Sequence, residues 1–88
     1  MKLNYDIEIS EVADMFVASA KDFDNGQPQM TFRLNETGVT IIKALQDGAE
    51  EEAIVARLLN KFTVDEITAK EETASFLQLL ADNGLIQM

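Results

Sequence analysis

Carboxylates are the side chains of this sequence best suited to chemistry. They cluster at Glu50-Glu51-Glu52 and at Glu71-Glu72, and paired carboxylates can serve in acid/base catalysis or bind a divalent cation. Consecutive residues of a helix point in different directions, however, so a solvated helix face explains both clusters better. No calcium-loop pattern accompanies them. We therefore predict no catalytic residues, no metal site and no cofactor.

The residue types that are missing restrict the chemistry further. The 88 residues include no His and no Cys. The chain therefore lacks an imidazole base, a thiol nucleophile, a disulfide framework and a cysteine-bound metal. A chain of this size hides only about 60–70% of its unfolded surface on folding, which leaves little room for a deep active site. The sequence predicts a protein that is not an enzyme.

Charge and hydropathy restrict the partners. Seven Lys and Arg stand against 16 Asp and Glu, for a net charge of −9, which repels phosphate backbones and anionic lipid. The longest strongly apolar run, 15–18, is far short of the roughly 20 residues that span a bilayer. No targeting segment is visible at the start. We expect neither a nucleic acid nor a membrane as partner, and a cytoplasmic location.

Three stretches in the first 34 residues are predicted strands: the first and third alternate with the period of a strand, and the second contains β-branched and aromatic residues. They cover 5–10, 15–20 and 29–34. Asn25-Gly26 and Pro28 predict a turn between the second and third stretches, which then form a hairpin with a loop longer than a tight turn. The side chains of Met30, Phe32 and Leu34 on the third strand are expected to face the core rather than a peptide, although the backbone of these residues could still bind one.

From residue 35 the apolar period becomes that of a helix, and three helices are predicted. The first is capped by Asn35 or Thr37 and ends at Asp47-Gly48. The second begins near Glu50 and is expected to bury Ile54, Leu58 and Leu59. The third starts from a capping box at 63–66 and runs to Asn83, with Thr73 half in the core. Gly84 then supplies a left-handed stop, and Leu85 and Ile86 return to the core.

This order of elements defines a fold class. A three-stranded antiparallel sheet followed by three helices is an α+β, winged helix-turn-helix-like domain, in which the sheet covers one side of the helices. No repeat or linker divides the chain, so 1–88 is expected to form a single domain.

Three motifs carry a resemblance to a known family. They are the stretch from Leu34 to Ile42, the Asp47-Gly48 pair, and the closing pattern Phe76-Leu77-x-x-Leu80-x-x-x-Gly84-Leu85-Ile86. In this order and spacing the motifs resemble the PqqD-like family of peptide-recognition domains. The chain departs from the family pattern at Ile42, where Trp is frequent, at Glu50, where Thr or Ser is common, and at Glu72, where Asp is common.

The resemblance implies a non-catalytic adaptor. Such domains capture the leader of a ribosomally made precursor peptide and present it to a modifying enzyme, often a radical S-adenosylmethionine enzyme. The leader would add as a strand to the edge of the third strand and lie against the third helix, a mode that open strand edges permit. The expected peptide-binding residues are Thr31, Phe32, Arg33, Leu34, Glu72, Ser75, Leu79 and Asn83.

Several alternatives stay open at this stage. Arg33 could pair with an acidic leader residue or could protect the strand edge from self-association. Leu79 could face the peptide or be an ordinary exposed Leu. The chain could also be a small structural or regulatory winged-helix subunit that binds another protein. A DNA reader is disfavoured because Lys70 is the only cation on an otherwise acidic third helix.

Overall fold

The change of hydrophobic period along the sequence appears as a change from strands to helices in a computed structural model, which describes Met1–Met88. The elements are β1 (Lys2–Leu3), β2 (Asp6–Val12), β3 (Met15–Lys21), β4 (Pro28–Leu34), α1 (Glu36–Gln46), α2 (Glu51–Lys61), α3 (Glu66–Asp82) and β5 (Ile86–Gln87). The predicted α+β, winged-helix-like class is confirmed, and the three predicted strands correspond to β2, β3 and β4. None of the helices is both long and apolar enough to cross a membrane.

Strands β2, β3 and β4 form an antiparallel sheet in that order, so β2 and β4 are its two edges. Ala13 and Asp14 join β2 to β3 with φ angles of 48° and 66°. Positive φ at both central residues suits a two-residue hairpin, because that backbone twist matches the twist of the strands. The β3–β4 ladder is irregular where Lys21 pairs with Pro28 and Ala20 pairs with Met30. The ladder therefore skips Gln29, which is a bulge beside the long loop.

The inner face of the sheet follows the strand period. Ala18 pairs with Ile9 on one side and Phe32 on the other, while Ala20 pairs with Ile7 and Met30. Ala18 and Ala20 are completely buried. Their small side chains leave room for the larger residues of both edge strands to converge on the core.

The helices begin where short polar side chains satisfy the unpaired amides of the first turn. The Asn35 carboxamide oxygen accepts a hydrogen bond of 2.8 Å from the Gly38 amide, so Asn35 and not Thr37 caps α1. Asp65 caps α3, because its carboxylate accepts a hydrogen bond of 2.7 Å from the Thr68 backbone amide. The predicted capping box that starts at Thr63 was wrong, because the chain enters the helix two residues later.

Two burial predictions were also wrong. Leu59 is 38% exposed, since it lies about a quarter turn from the buried Leu58 on α2. Thr73 is completely buried rather than half-buried, because it faces the core between Ala69 and Leu77 on α3. The predicted burial of Ile54 and Leu58 is confirmed.

The chain ends meet in a second small sheet that the sequence pattern did not predict. Leu3 pairs with Ile86 and Lys2 with Gln87, and the Asn4 side-chain amide donates 2.9 Å to the Gly84 carbonyl. Gly84 has the predicted left-handed backbone, with φ of 72°. Leu85 and Ile86 are buried, as predicted. Strands of two residues are too short for a period to be recognised in the sequence.

Candidate peptide-binding groove

A cavity of about 160 Å³ lies between β4 and the C-terminal half of α3. Most of its lining is apolar. The lining residues are Met30, Phe32, Arg33, Phe76, Leu79, Leu80, Asn83 and Leu85. Apolar walls with a few polar groups at the rim are typical of ligand sites, so this cavity can take an apolar side chain.

A second cavity, of about 450 Å³, continues along the same helix towards the start of α1. It is more polar and more open to solvent. Its lining residues are Asn35, Thr37, Gly38, Ile41, Glu71, Glu72, Ser75, Phe76 and Leu79. Phe76 and Leu79 line both cavities. The two cavities therefore form one groove along α3, which we call the β4–α3 groove.

Gly38 determines how closely the walls of this groove approach each other. A Cβ atom at position 38 would lie 3.0 Å from Cδ2 of Leu34 and 3.3 Å from Cζ of Phe76. Both distances are at or inside the usual limit for carbon contacts, so the hydrogen of Gly38 is what lets β4 and α3 meet at the start of α1. Phe76 is held there with its ring on the groove surface.

The structure brings six of the eight expected peptide-binding side chains to the groove. Phe32, Arg33, Leu79 and Asn83 line the smaller cavity, and Glu72, Ser75 and again Leu79 line the larger one. Leu79 is 55% exposed although it is a large apolar residue, and it stands where the two cavities meet. The Asn83 side chain is held at the end of the helix, because its side-chain amide donates a hydrogen bond of 2.8 Å to the Leu79 carbonyl.

The other two side chains point elsewhere. Thr31 pairs with Ser19 on the outer face of the sheet and lines neither cavity. Leu34 is buried in the core, next to Gly38. Only the backbones of these two residues lie at the strand edge, so any part they take in peptide binding would be through main-chain hydrogen bonds.

Strand β4 offers such hydrogen bonds because it pairs with β3 alone. In an antiparallel ladder every second residue turns its N–H and C=O away from its partner strand. The proline of β4, Pro28, is its first residue, so it removes no amide from the middle of the edge. The open edge runs beside the smaller cavity, which combines unpaired main-chain groups with an apolar pocket.

The groove carries opposite charges in its two parts. Arg33 is exposed at the smaller cavity, and no carboxylate lies within ion-pair distance of it. Glu71 and Glu72 line the larger cavity and also form no ion pair. A ligand with an acidic residue near β4 and a basic one near the start of α1 would complement both parts.

Sequence reasoning missed several groove residues. Phe76 was named only as part of the closing motif and not as a peptide-binding residue, and the α1 residues Asn35, Thr37 and Gly38 were not associated with the site. Phe76 could have been found from helical spacing, because it lies four residues after Glu72 and three before Leu79. The α1 wall had no such signal, since it meets α3 only through the tertiary fold.

No group of three or more Asp and Glu side chains lies close enough together to bind a metal ion.

A winged-helix-like domain with an open strand edge beside an apolar groove has the features of a protein that binds an extended peptide. The model of the family described as coenzyme PQQ synthesis protein D (PqqD) matches residues 23–86. The chain therefore belongs to the PqqD family, as the resemblance of its motifs predicted. The match includes β4 and all three helices and ends at Ile86, the first residue of β5.

Two solved structures share this fold. TbiB1, in complex with the TbiA(beta) leader peptide, is 25% identical, with a TM-score of 0.74 and coverage of 99% of this chain and 95% of the other. Lasso peptide synthetase B1, complexed with the leader peptide, is 22% identical, with a TM-score of 0.71 and coverage of 99% and 96%. No curated protein matches the chain.

Proposed function

We propose that this protein is a non-catalytic adaptor that binds the leader of a ribosomally made precursor peptide and presents it to a modifying enzyme. The whole chain, 1–88, acts as one recognition domain. Membership of the PqqD family and the leader-peptide complexes of both structural neighbours support leader binding. The modifying enzyme, often a radical S-adenosylmethionine enzyme among relatives of this kind, is the expected second partner.

The observation that carries the proposal is the open edge of β4 beside the β4–α3 groove. The leader adds to this edge as a strand and places an apolar side chain in the cavity of about 160 Å³. The other edge strand, β2, also borders a cavity, which it shares with Leu45 and Gln46 of α1, but there the Gln46 side-chain amide already donates a hydrogen bond of 2.7 Å to the Ile7 carbonyl. The groove therefore directs the leader to β4.

The strength of binding follows from opposing contributions. Each main-chain hydrogen bond contributes only about 1 kcal/mol net, because it replaces a bond to water. Ordering a disordered leader costs about 2–5 kcal/mol or more. Apolar burial, at roughly 25 cal/mol per Å², must supply the difference. We expect a dissociation constant in the micromolar to submicromolar range that depends on one or two apolar leader residues more than on charge.

NMR titration tests the proposal. The probes are synthetic peptides that cover the leader part of each short open reading frame next to the gene. Amide shifts are expected along β4 and on the face of α3 that contains Ser75, Leu79 and Asn83. Leu79→Glu should abolish binding and keep the fold, since the side chain is 55% exposed and a charge there would oppose the apolar anchor.

Leu59→Glu is the matched control. It places the same charge on another exposed Leu of a helix, outside the β4–α3 groove, and should leave the leader affinity unchanged. Thr31→Pro is a poorer probe, because the lost amide could disturb the hairpin as well as the edge. Shifts confined to β2 or α2, or full affinity in a folded Leu79→Glu variant, would reject this site. If no adjacent reading frame binds, the alternative of a regulatory subunit for another protein gains support.

A further inference from the structure

A second groove, of about 770 Å³, lies between α2 and α3 and plays no part in the proposed leader site. Its centre is apolar. Val55, Ala56 and Leu59 of α2 face Ala74 of α3 across it. Leu59 is 38% exposed, although the rest of α2 buries its large apolar residues. We call this surface the α2–α3 groove.

Helix α2 presents apolar residues at the spacing of a helix-packing stripe to this groove. Glu52, Val55, Ala56 and Leu59 follow one another at i, i+3, i+4 and i+7. On α3 the same spacing joins Lys70, Glu71 and Ala74 to Ile67, which is 70% exposed. On α2 the apolar stripe is exposed along the groove, and on α3 the two apolar residues flank the charged Lys70 and Glu71.

The rim of the groove is strongly acidic. Glu51, Glu52, Glu66 and Glu71 stand against the single cation Lys70. The positive charge of Lys70 is already paired, because its ammonium lies 2.9 Å from a Glu66 carboxylate oxygen. That hydrogen bond is also the main reason why the pKa of Lys70 is raised. The remaining three carboxylates form no ion pair. An occupant that complements this groove must carry Lys or Arg on both sides of an apolar stripe.

The occupant must also be helical. The groove walls are two helices whose backbone groups are bonded internally, so they offer no edge to which an extended strand could add. A partner that satisfies its own backbone and presents one apolar face is an amphipathic helix, which is the usual occupant of such grooves. Ala56 and Ala74 lie where that helix would approach most closely, and their small side chains permit it.

The two grooves lie on different sides of α3. At about 100° per residue, the face that contains Glu72, Ser75, Phe76, Leu79 and Asn83 is centred roughly 150° away from the face with Ile67, Lys70 and Ala74. The only residue that lines both grooves is Glu71, at their shared rim. A leader in one groove would leave the other open.

We propose that the α2–α3 groove is the docking site for a basic amphipathic helix of the modifying enzyme. This inference rests on the proposed function, because an adaptor must contact its enzyme while it holds the leader. The adaptor then bridges leader and enzyme through opposite faces of α3.

The direct test is an NMR titration of the full chain with a peptide of about 18 residues made only of Leu and Lys, with Leu at i, i+3, i+4 and i+7. A scrambled peptide of the same composition is the control for unspecific attraction to a chain of net charge −9. We expect amide shifts at Val55, Ala56, Leu59 and Ala74 with the amphipathic peptide only. Binding should weaken several-fold between about 50 and 500 mM salt, because exposed charges are screened.

Two pairs of variants make the test specific. Leu59→Gln removes the apolar contact without a change of charge and should weaken binding of the amphipathic peptide about 10-fold or more. Leu79→Gln, its counterpart in the leader groove, should leave that affinity unchanged. Glu52→Gln should weaken it a few-fold. Glu36→Gln, an acidic residue in the first turn of α1 instead of α2, should not.

The outcomes separate this inference from the proposed function. Equal binding by the scrambled peptide, shifts at β4, or equal affinity of Leu59→Gln and the parent chain would overturn the docking site, whatever the leader does. Sedimentation that shows a dimer of the chain, dissociated by Leu59→Gln, would identify a second copy as occupant and would also overturn it. Failure of every leader to bind while the docking peptide behaves as expected would instead count against the proposed function.

Discussion

Phe76 and Leu79 show how one helix turn serves both the core and the groove. Phe76 packs against the core and within reach of Gly38, while Leu79 stands 55% exposed between the two cavities. An exposed Leu is ordinary by itself. Its place beside an open strand edge is what makes it a candidate anchor, and that place follows from the packing of α3 beside β4.

Thr73 has the one buried side-chain polar atom without a hydrogen-bond partner. Its hydroxyl lies on the buried side of α3, where an unsatisfied polar group costs about 1–3 kcal/mol of stability. Thr73→Val keeps the shape and removes that cost, so we expect the free energy of unfolding in urea to rise by about 1 kcal/mol. Val and Thr have similar helix propensities, which adds little to the change.

Thr40→Val is the control for this substitution. Thr40 is also buried, but its hydroxyl donates 3.0 Å to the Glu36 carbonyl. The loss of this hydrogen bond in Thr40→Val should therefore lower the free energy of unfolding by about 1 kcal/mol. If Thr73→Val destabilises the protein as much as Thr40→Val does, the Thr73 hydroxyl must be satisfied in solution.

Gly38→Ala tests the close contact at the start of α1. Alanine favours a helix over glycine by about 1 kcal/mol, but its Cβ would press on Leu34 at 3.0 Å and on Phe76 at 3.3 Å, and overpacking costs about 1–3 kcal/mol. We expect a net loss of up to about 2 kcal/mol in urea unfolding, with shifted NMR signals of the Phe76 ring.

Ala53→Gly isolates the helix propensity in the same experiment. Ala53 is exposed and holds the third position of α2, as Gly38 does in α1. The Ala53→Gly variant should lose stability through helix propensity alone, without disturbing the Phe76 ring. A gain of stability in Gly38→Ala equal to the loss in Ala53→Gly would show that the contact is easily relieved.

At the scale of the elements, periodicity predicted most of the fold. Strands β2 and β4 and the three helices were found because their apolar residues repeat at two or at three to four residues, and β3 was found from its β-branched and aromatic residues. The β1–β5 pair was missed because it is too short to show a period. In the candidate site, the α3 stripe and the β4 edge could be predicted from one element each. The inward orientation of Leu34 followed from the strand period. The α1 wall depends on how elements pack, which no local pattern contains.

The cap of α3 gives a prediction about pH. The Thr68 amide donates to the Asp65 carboxylate, which holds the pKa of Asp65 below its ordinary value of 3.8. A carboxyl with a lowered folded pKa stabilises the native state above the unfolded value, and that contribution is lost as the pH falls through 3.8 and below. Asp65→Asn retains an oxygen for the cap but has no charge. The melting temperature of the parent chain should exceed that of Asp65→Asn at pH 7, and the difference should shrink below pH 3.8.

Asp65→Ala completes this series because it removes the cap itself. It should melt below Asp65→Asn at every pH, since it leaves the Thr68 amide without a partner. A difference between parent and Asp65→Asn that stays constant down to the lowest pH would mean that the charge of Asp65 contributes nothing.

For the whole molecule, charge decides between a peptide reader and a DNA reader. A winged helix that binds DNA needs cations on its third helix, but α3 carries Glu66, Glu71, Glu72 and Asp82 against Lys70, in a chain of net charge −9. Few counterions would be released from DNA. We expect no gel shift of duplex DNA at physiological salt with about 10 μM protein. A submicromolar complex that weakens with added salt would contradict this.

Cooperative packing should make leader binding visible in the stability of the entire chain. One core cluster of 17 buried residues takes in residues of β2, β3, β4, all three helices and β5, so binding at β4 and α3 stabilises every element that unfolds with them. A leader present at 100 times its dissociation constant should add about 2.7 kcal/mol. For a domain of this size that corresponds to a rise of roughly 10 °C or more in the melting temperature. Differential scanning calorimetry should show this rise in the parent chain and in Leu59→Glu but not in Leu79→Glu, and an equal rise in all three would place the leader outside the β4–α3 groove.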